Sequence, residues 1–146
     1  MGAKMGKAIV IIVMLLAAFA ATAVAGTGYN YLPPVEFKQW LEGGKKMQIV
    51  DIQVPAEFQQ QHFRGSIETN AYPVKSAEEK QRLDKALPLL AASSEEIVVV
   101  CPRGGGGAKS ACDYLFGKGI AAGRLYILED GMKGWPYKEL TVTAGK

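Results

Sequence analysis

The stretch EEIVVVCPRGGGGAKSAC, residues 95–112, restricts the possible folds more than any other part of the chain. Its segment IVVVC is apolar at every position and rich in β-branched residues, which predicts a strand that is covered on both faces. Strands of this kind occupy the centre of parallel sheets, between layers of helices. Four glycines follow, and AKSACDYLFGKG then reads as a helix that Gly117 and Gly119 end. The stretch therefore predicts a central strand, a glycine-rich loop and a helix.

Helix and strand patterns alternate along the rest of the chain. Pro34 suits the first position of a helix that Gly43 and Gly44 end. Ser76 and Glu79 have capping-box spacing, which predicts a helix through QRLDKAL that Pro88 interrupts. Strands are predicted at MQIVDIQ, SIETNAYP and RLYILE, a short helix at PAEFQQQ, an irregular lead-in at GTGYNYLPP and a glycine-rich closing turn at EDGMKGWPYKEL. We therefore expect a single α/β domain with an open, mostly parallel central sheet flanked by helices.

The amino terminus has the pattern of an export signal. Lys4 and Lys7 precede an apolar run over residues 8–21, and Ala23-Val24-Ala25 is a small-x-small cleavage pattern. We expect residues 1–25 to be a signal peptide and residues 26–146 to be the exported, periplasmic domain. The competing interpretation is an uncleaved anchor over residues 8–25, a length near the lower limit for crossing a bilayer.

The charge of the predicted exported domain argues against nucleic acid as a partner. The whole chain has 17 basic and 14 acidic residues, a net charge of +3. The leader contains two lysines and no acidic residue, so its removal leaves 15 basic residues and a net charge of +1. A nearly neutral domain lacks the basic surface that nucleic-acid binding requires. We expect a monomer.

The glycine loop invites comparison with a phosphate-binding P-loop. The pattern G-x-x-x-x-G-K-[ST], aligned on Lys109 and Ser110, requires glycines at positions 103 and 108. These positions hold Arg103 and Ala108, and no clear strand ending in aspartate follows for the magnesium. The nucleotide interpretation therefore fails.

A reactive thiol fits the loop better. Cys101 ends the predicted central strand, where open α/β sheets bind their ligands. The following loop, residues 102–107, leads into a helix, and its glycine N–H groups are free to turn inward and bind an anion. The helix dipole adds partial positive charge there, and Arg103 adds a full charge. Such surroundings favour the thiolate, so Cys101 is the candidate nucleophile.

Three motifs resemble those of single-domain rhodaneses, in the family's order. Asp51-Ile52-Gln53-x-Pro55-x-Glu57-Phe58 matches D-V-R-x-P-x-E-[FY], and His62-Phe63-Arg64-Gly65-Ser66-Ile67 matches H-I-x-G-A-I. Gly131-Met132-x-Gly134-Trp135 loosely matches the closing G-G-x-x-x-W turn. The resemblance covers about residues 34–138 and is nearest to small exported thiosulfate sulfurtransferases.

The resemblance implies catalysis through a cysteine persulfide, without a cofactor. Cys101 would take sulfur from thiosulfate or a persulfide and give it to a thiol or cyanide. The substrate-binding and persulfide-binding residues would be Pro102, Arg103, Gly104, Gly105, Gly106 and Gly107. Asp51 and Trp135 would support the site, Asp51 by holding N–H groups of a neighbouring loop and Trp135 as core or pocket wall.

The chain departs from the family pattern at its cationic positions. Gly106 and Gly107 stand where many members have arginine and then serine or threonine, Pro102 replaces the arginine after the cysteine, and Gln53 replaces the arginine of D-V-R. Each lost charged donor weakens anion binding by ~1.5–3 kcal/mol. We therefore expect weak thiosulfate activity, a preference for less charged persulfide donors, and Arg103 as the remaining anion contact. Phosphatases use Cys-x5-Arg, but Gly107 occupies the arginine position, which argues against phosphatase activity.

Other interpretations remain open. The chain could be a rhodanese-like sulfur-carrier or protein-binding module that docks an exported partner, or a redox sensor that uses Cys101 and Cys112. The spacing of these cysteines favours two free thiols, with Cys112 a core residue of the helix. His62 is expected to pack the turn before Gly65 rather than act as a base. One histidine and two cysteines so placed do not form a metal site.

Overall fold

The computed structural model describes residues 28–145. The predicted leader (residues 1–25) and the alternative anchor (residues 8–25) lie outside this range. Among the described residues, no helix combines the length and the apolar character that a membrane crossing needs.

A five-stranded parallel sheet forms the centre of the domain. The strands are β1 (Asn30–Leu32), β2 (Met47–Asp51), β4 (Ile67–Glu68), β5 (Glu96–Val100) and β6 (Leu125–Leu128). Their order in the sheet is β1-β6-β5-β2-β4, and every neighbouring pair is parallel. β5 lies in the middle, and four of its five residues are buried. The prediction of an α/β fold around a central β5 is confirmed.

Helices and a small second sheet cover the central sheet. The α-helices are α1 (Pro34–Glu42), α2 (Pro55–Gln60), α3 (Ala77–Gln81), α4 (Leu87–Ala91) and α5 (Gly106–Gly117). Short 3-10 turns lie at Arg82–Lys85, Ala122–Arg124 and Lys138–Leu140. β3 (His62–Phe63) and β7 (Thr141–Val142) pair antiparallel as the second sheet.

Side chains of β5 alternate between two apolar cores. Ile97 and Val99 enter one core, and Cys101, directly after the strand, enters the same core. Val98 and Val100 enter the opposite core. This division follows from the two-residue period of a strand, and it fixes the face of the sheet on which the thiol lies.

Three local predictions need correction. The lead-in contains β1, which pairs with β6 and so gains its structure from a distant segment. Pro88 does not interrupt a helix; it lies in the first turn of α4, where its missing N–H leaves no helical hydrogen bond unmade. Beyond the closing turn, β7 pairs with β3 across the chain. The capping box of Ser76 and Glu79 is confirmed at the start of α3.

Candidate active site

Cys101 lies where two central strands end side by side. It follows β5, and Asp51, the last residue of β2, pairs in register with Val100. Ile52 continues the contact, since its N–H donates to the Val100 carbonyl at 2.9 Å. The sheet therefore brings Asp51 and Cys101 to the same carboxyl edge, the edge where ligands bind in open α/β folds.

The loop after Cys101 turns back over its sulfur. Gly104 has a φ of +70°, a conformation that glycine adopts without steric cost. Its N–H donates to Cys101 Sγ at 2.7 Å. Within the described part of the chain, this is the one hydrogen bond to that sulfur, although the sequence predicts several from the four glycines.

The loop is shorter than predicted. α5 begins at Gly106, with Gly105 at its N-cap, so Gly106 and Gly107 belong to the first helical turn. The prediction that both lie in the loop is wrong: α5 extends over them, although glycine is a poor helix former. The first N–H groups of a helix have no acceptor inside it, so this turn still presents donors near the loop.

The thiol lies beneath the loop rather than in the open. Cys101 is 1% exposed and belongs to the same core as Ala108 and Ala111 of α5. Pro102 is buried, whereas Arg103 is exposed and forms no side-chain hydrogen bond within residues 28–145. The predicted cation is therefore present at the surface of the loop and free to meet a ligand.

The closing turn holds the Cys101 loop in place through backbone hydrogen bonds, a role that the sequence did not predict. The N–H of Met132 donates to the Cys101 carbonyl at 2.8 Å, and the N–H of Lys133 donates to the Pro102 carbonyl at 2.9 Å. Gly131, with a φ of +59°, passes so close that a Cβ there would overlap the Cys101 carbonyl oxygen. The only sequence clue was the pair of glycines at positions 131 and 134.

Trp135 supports this turn from the core. It is 2% exposed, packs edge-to-face against Phe37 and Phe63, and donates from Nε1 to the Tyr137 carbonyl at 2.7 Å. Of the two predicted placements, core or pocket wall, the structure shows the core.

Asp51 is fully buried and is held by its own segment. Its Oδ1 accepts the backbone N–H of Gln53 at 2.8 Å, and its Oδ2 accepts from Gln53 Nε2 at 3.0 Å. The predicted contact with a neighbouring loop is thus replaced by a contact two residues along the chain. Burial raises the pKa of Asp51 to about 7, against the opposing effect of the two hydrogen bonds.

A polar cleft of about 320 Å³ lies beside the loop. Cys101 does not line it, but the next residue, Pro102, forms part of its wall. The lining residues are Gln53, Glu57, Gln60, Gln61, Pro102 and Lys133. Gln60 and Gln61, like Glu57, come from the α2 region, which the sequence analysis did not connect with the site.

The remaining predicted residues have structural surroundings. His62 Nδ1 lies 2.7 Å from the Phe58 carbonyl oxygen, and its ring stacks on Phe58. Cys112 is buried in α5 and is a free thiol, as is Cys101. Burial raises the pKa of Cys112 to about 12, so it stays protonated and unreactive at neutral pH. No group of three potential metal ligands occurs among residues 28–145.

The sequence model of the rhodanese-like domain matches residues 33–138, most of the chain. The chain belongs to the rhodanese-like family. This match agrees with the span of about 34–138 predicted from the motifs. No curated protein matches this rhodanese-like chain in sequence.

Solved structures show the same fold at low sequence identity. A rhodanese-like domain from Anabaena sp. is 19% identical with a TM-score of 0.58, covering 80% of each chain. An As-Sb reductase from Leishmania major is 18% identical with a TM-score of 0.60, covering 80% of this chain and 86% of its own. A thiosulfate sulfurtransferase from Pseudomonas aeruginosa is 18% identical with a TM-score of 0.57, covering 80% of this chain and 20% of its own. These likenesses confirm the rhodanese fold.

Proposed function

We propose that this rhodanese-like protein is a sulfurtransferase that carries sulfane sulfur as a persulfide on Cys101. The observation that carries the proposal is the 2.7 Å hydrogen bond from the Gly104 N–H to Cys101 Sγ. A backbone donor held in place by a positive-φ glycine stabilises negative charge on sulfur without having to reorient. The start of α5 adds partial positive charge on the same side.

The transfer takes place in two displacements. In the first, the Cys101 thiolate attacks the outer sulfur of a donor such as thiosulfate, the donor S–S bond breaks, and sulfite leaves with the bonding electron pair. The product is a persulfide on Cys101, whose negative charge the Gly104 N–H would stabilise. In the second, a thiolate or cyanide attacks the outer sulfur and regenerates the Cys101 thiolate. The protein alternates between two covalent states, so ping-pong kinetics follow.

The surroundings of the loop favour donors with little charge. Gln53 is a neutral amide that is already bonded to Asp51. Gly106 brings no side chain, and no other group lies within 4 Å of the position that its Cβ would take. Arg103 is the cation that the loop itself offers to a dianion such as thiosulfate. We therefore expect slow turnover of thiosulfate and faster turnover of persulfide donors.

Arg103→Ala should lower kcat/KM for thiosulfate by about tenfold, as expected for the loss of one charge-assisted donor. Lys46→Ala, at an exposed site in another segment, should leave kcat/KM unchanged.

Intact-mass measurement tests the proposal directly. The protein is incubated with thiosulfate or with a persulfide donor and then freed of small molecules. We expect a gain of one sulfur atom, its loss when cyanide is added, and no gain in Cys101→Ser. A protein that is folded but gains no sulfur from either donor would contradict catalysis by Cys101.

One observation favours a second function, that of a sulfur-carrier or protein-binding module. Cys101 is only 1% exposed, so a small donor reaches the sulfur only if the loop moves. In this case the loop would take up sulfur from a partner protein that displaces it, and turnover of small substrates would be negligible. A stable complex with another exported protein, together with no adduct from either small donor, would identify this function.

A further inference from the structure

A nearly buried glutamine lines the polar cleft beside the Cys101 loop, and it carries an acceptor atom that the mechanism above does not use. Gln53 lines the cleft and is 2% exposed. Its Nε2 donates to Asp51 Oδ2 at 3.0 Å and to the Gln61 carbonyl at 3.0 Å. Both partners are acceptors, so the orientation of the amide is fixed and both of its N–H groups are engaged. Within residues 28–145, no group donates to the remaining atom, Oε1.

The amide of Gln53 reverses the hydrogen-bonding character of position 53 relative to the family's arginine. The family's arginine would present donors and a positive charge here, whereas Gln53 leaves only a carbonyl oxygen for a ligand. This oxygen is not fully enclosed by protein, so an N–H group of a ligand in the cleft can reach it. An anion without hydrogens, such as thiosulfate or sulfite, gains nothing from this atom.

The cleft also carries one negatively and one positively charged side chain. Glu57 contributes a carboxylate and Lys133 an ammonium group. In the described part of the chain, neither side chain takes part in an ion pair. With Gln53 they offer two acceptors and one cation, a combination that complements a ligand carrying both an ammonium and a carboxylate group.

The position of the cleft connects it with sulfur transfer. Pro102, the residue after Cys101, belongs to its wall, and the Lys133 backbone N–H holds the Pro102 carbonyl. Its volume of about 320 Å³ is at the small end of the ~300–1,000 Å³ typical of ligand pockets. It therefore has room for a molecule of amino-acid size, whose sulfur would reach the Cys101 persulfide when the loop moves.

We propose that this cleft is the acceptor subsite of the enzyme and that it binds a small zwitterionic thiol of the α-amino-acid type. The inference rests on the proposed function. Glu57 and Gln53 Oε1 receive the ammonium group, and Lys133 receives the carboxylate. The bound thiolate attacks the outer sulfur of the Cys101 persulfide, its S–S bond breaks, and the electron pair returns to Cys101. The outer sulfur keeps its negative charge and becomes the terminal sulfur of the new persulfide, so the step needs no oxidant, reductant or proton.

Four related thiols test the proposal on protein that has first been loaded with sulfur. Cysteine carries both charged groups, cysteine methyl ester only the ammonium, N-acetylcysteine only the carboxylate, and 2-mercaptoethanol neither. Rates of discharge are compared per thiolate, to remove differences in thiol acidity. We expect cysteine to react at least about tenfold faster than 2-mercaptoethanol, with the other two in between.

Two charge-removing variants assign the contacts. Glu57→Gln should slow cysteine and its methyl ester by about tenfold, and Lys133→Gln should slow cysteine and N-acetylcysteine to a similar degree. Neither should change the rate with 2-mercaptoethanol. Glu36→Gln and Lys46→Gln, which make the same substitutions outside the cleft, serve as matched controls. Equal rates for all four thiols, or equal slowing of all four by either cleft variant, would overturn the proposal.

A binding measurement separates failure of this inference from failure of the proposed function. S-methylcysteine keeps both charged groups but has no reactive thiol, and Cys101→Ser carries no sulfur. When S-methylcysteine is added to Cys101→Ser, we expect the NMR chemical shifts of Gln53, Glu57 and Lys133 to change. Adding Glu57→Gln to this variant should abolish the changes. Absence of such shifts would overturn the subsite even in protein that loads sulfur normally. Failure of the wild-type protein to load sulfur would overturn the proposed function and leave this binding result to decide the subsite.

Discussion

The two sides of the Cys101 loop differ sharply in the space around their glycines. On the rear side, which faces the closing turn, a Cβ on Gly104 would lie 2.8 Å from the backbone nitrogen of Asp130, and one on Gly131 would overlap the loop backbone. On the front side, a Cβ on Gly105 or Gly106 would meet nothing within 4 Å. One run of glycines thus serves two purposes. The rear glycine permits close backbone packing, and the front glycines leave the approach to the loop open.

The two sides also differ in how their polar groups are used. On the rear side, backbone N–H groups of Met132 and Lys133 are paired with loop carbonyls. Away from these contacts, Arg103 is exposed and Gln53 keeps an unused acceptor oxygen in the cleft. The contacts with the closing turn therefore maintain the shape of the loop, and Arg103 and Gln53 are groups that a ligand would meet.

The largest effect is expected from filling the rear side. Gly131→Ala places a Cβ against backbone atoms of Cys101 and Arg103, at a positive φ that alanine adopts only with strain. Because backbone on both sides would have to shift, the free energy of unfolding should fall by at least about 5 kcal/mol. Urea denaturation measures the loss, and sulfur loading of Cys101 should fall with it. A variant with wild-type stability would show that the closing turn does not hold the loop.

A smaller effect is expected from Asp51, the buried carboxyl at the same edge of the sheet as Cys101. The pKa of Asp51 in the folded protein is about 7, above its ordinary value of 3.8. The protonated carboxyl therefore stabilises the fold below about pH 4, and this contribution is lost as the pH rises through about 7. The total decrease in the free energy of unfolding is on the order of 2–4 kcal/mol. Urea denaturation from about pH 4 to pH 8 should show the decline in the wild type.

Asp51→Asn should remove most of this decline, because the substituted side chain does not ionise. Asp130→Asn is the matched control: Asp130 is exposed, and asparagine tolerates its φ of +60°. It should keep the wild-type dependence on pH. An unchanged decline in Asp51→Asn would mean that another group causes it, and Asp51 would then be ionised throughout this range.

The smallest effect, with the opposite sign, is expected on the front side. Gly106→Ala adds a methyl group to the first helical turn, where no atom lies within 4 Å of it. The unfolded chain loses conformational freedom, so the free energy of unfolding should rise by about 0.4–1 kcal/mol. Sulfur loading should stay the same. A marked loss of stability would contradict the division of the loop into a packed and an open side.

Several elements were predictable because their causes are local. The apolar run of β5, the proline at the start of α1 and α2, and the Ser76 capping box each act within a few residues, and the structure contains all of them. Local patterns say less where a distant partner decides. β1 is a strand only because it pairs with β6, and β7 only because it pairs with β3.

The same distinction applies to the candidate site. The order of β5, loop and helix identified Cys101 and its glycines, but Gly106 and Gly107 proved to be helical. The acceptor oxygen of Gln53 was not predictable, because its orientation depends on the Gln61 carbonyl eight residues away. Sequence patterns identify residue types, whereas hydrogen-bond direction depends on which groups meet in space.

The sequence by itself determined the family, the central strand and the cysteine at its end, because apolar runs, glycines and spaced motifs act through neighbouring residues. Only the tertiary structure decided that the closing turn holds the loop, that the thiol is covered, and that a polar cleft lies beside it. Those features come from backbone and side chains far apart in the chain, which come together when the parallel sheet places the ends of β2, β5 and β6 along one edge.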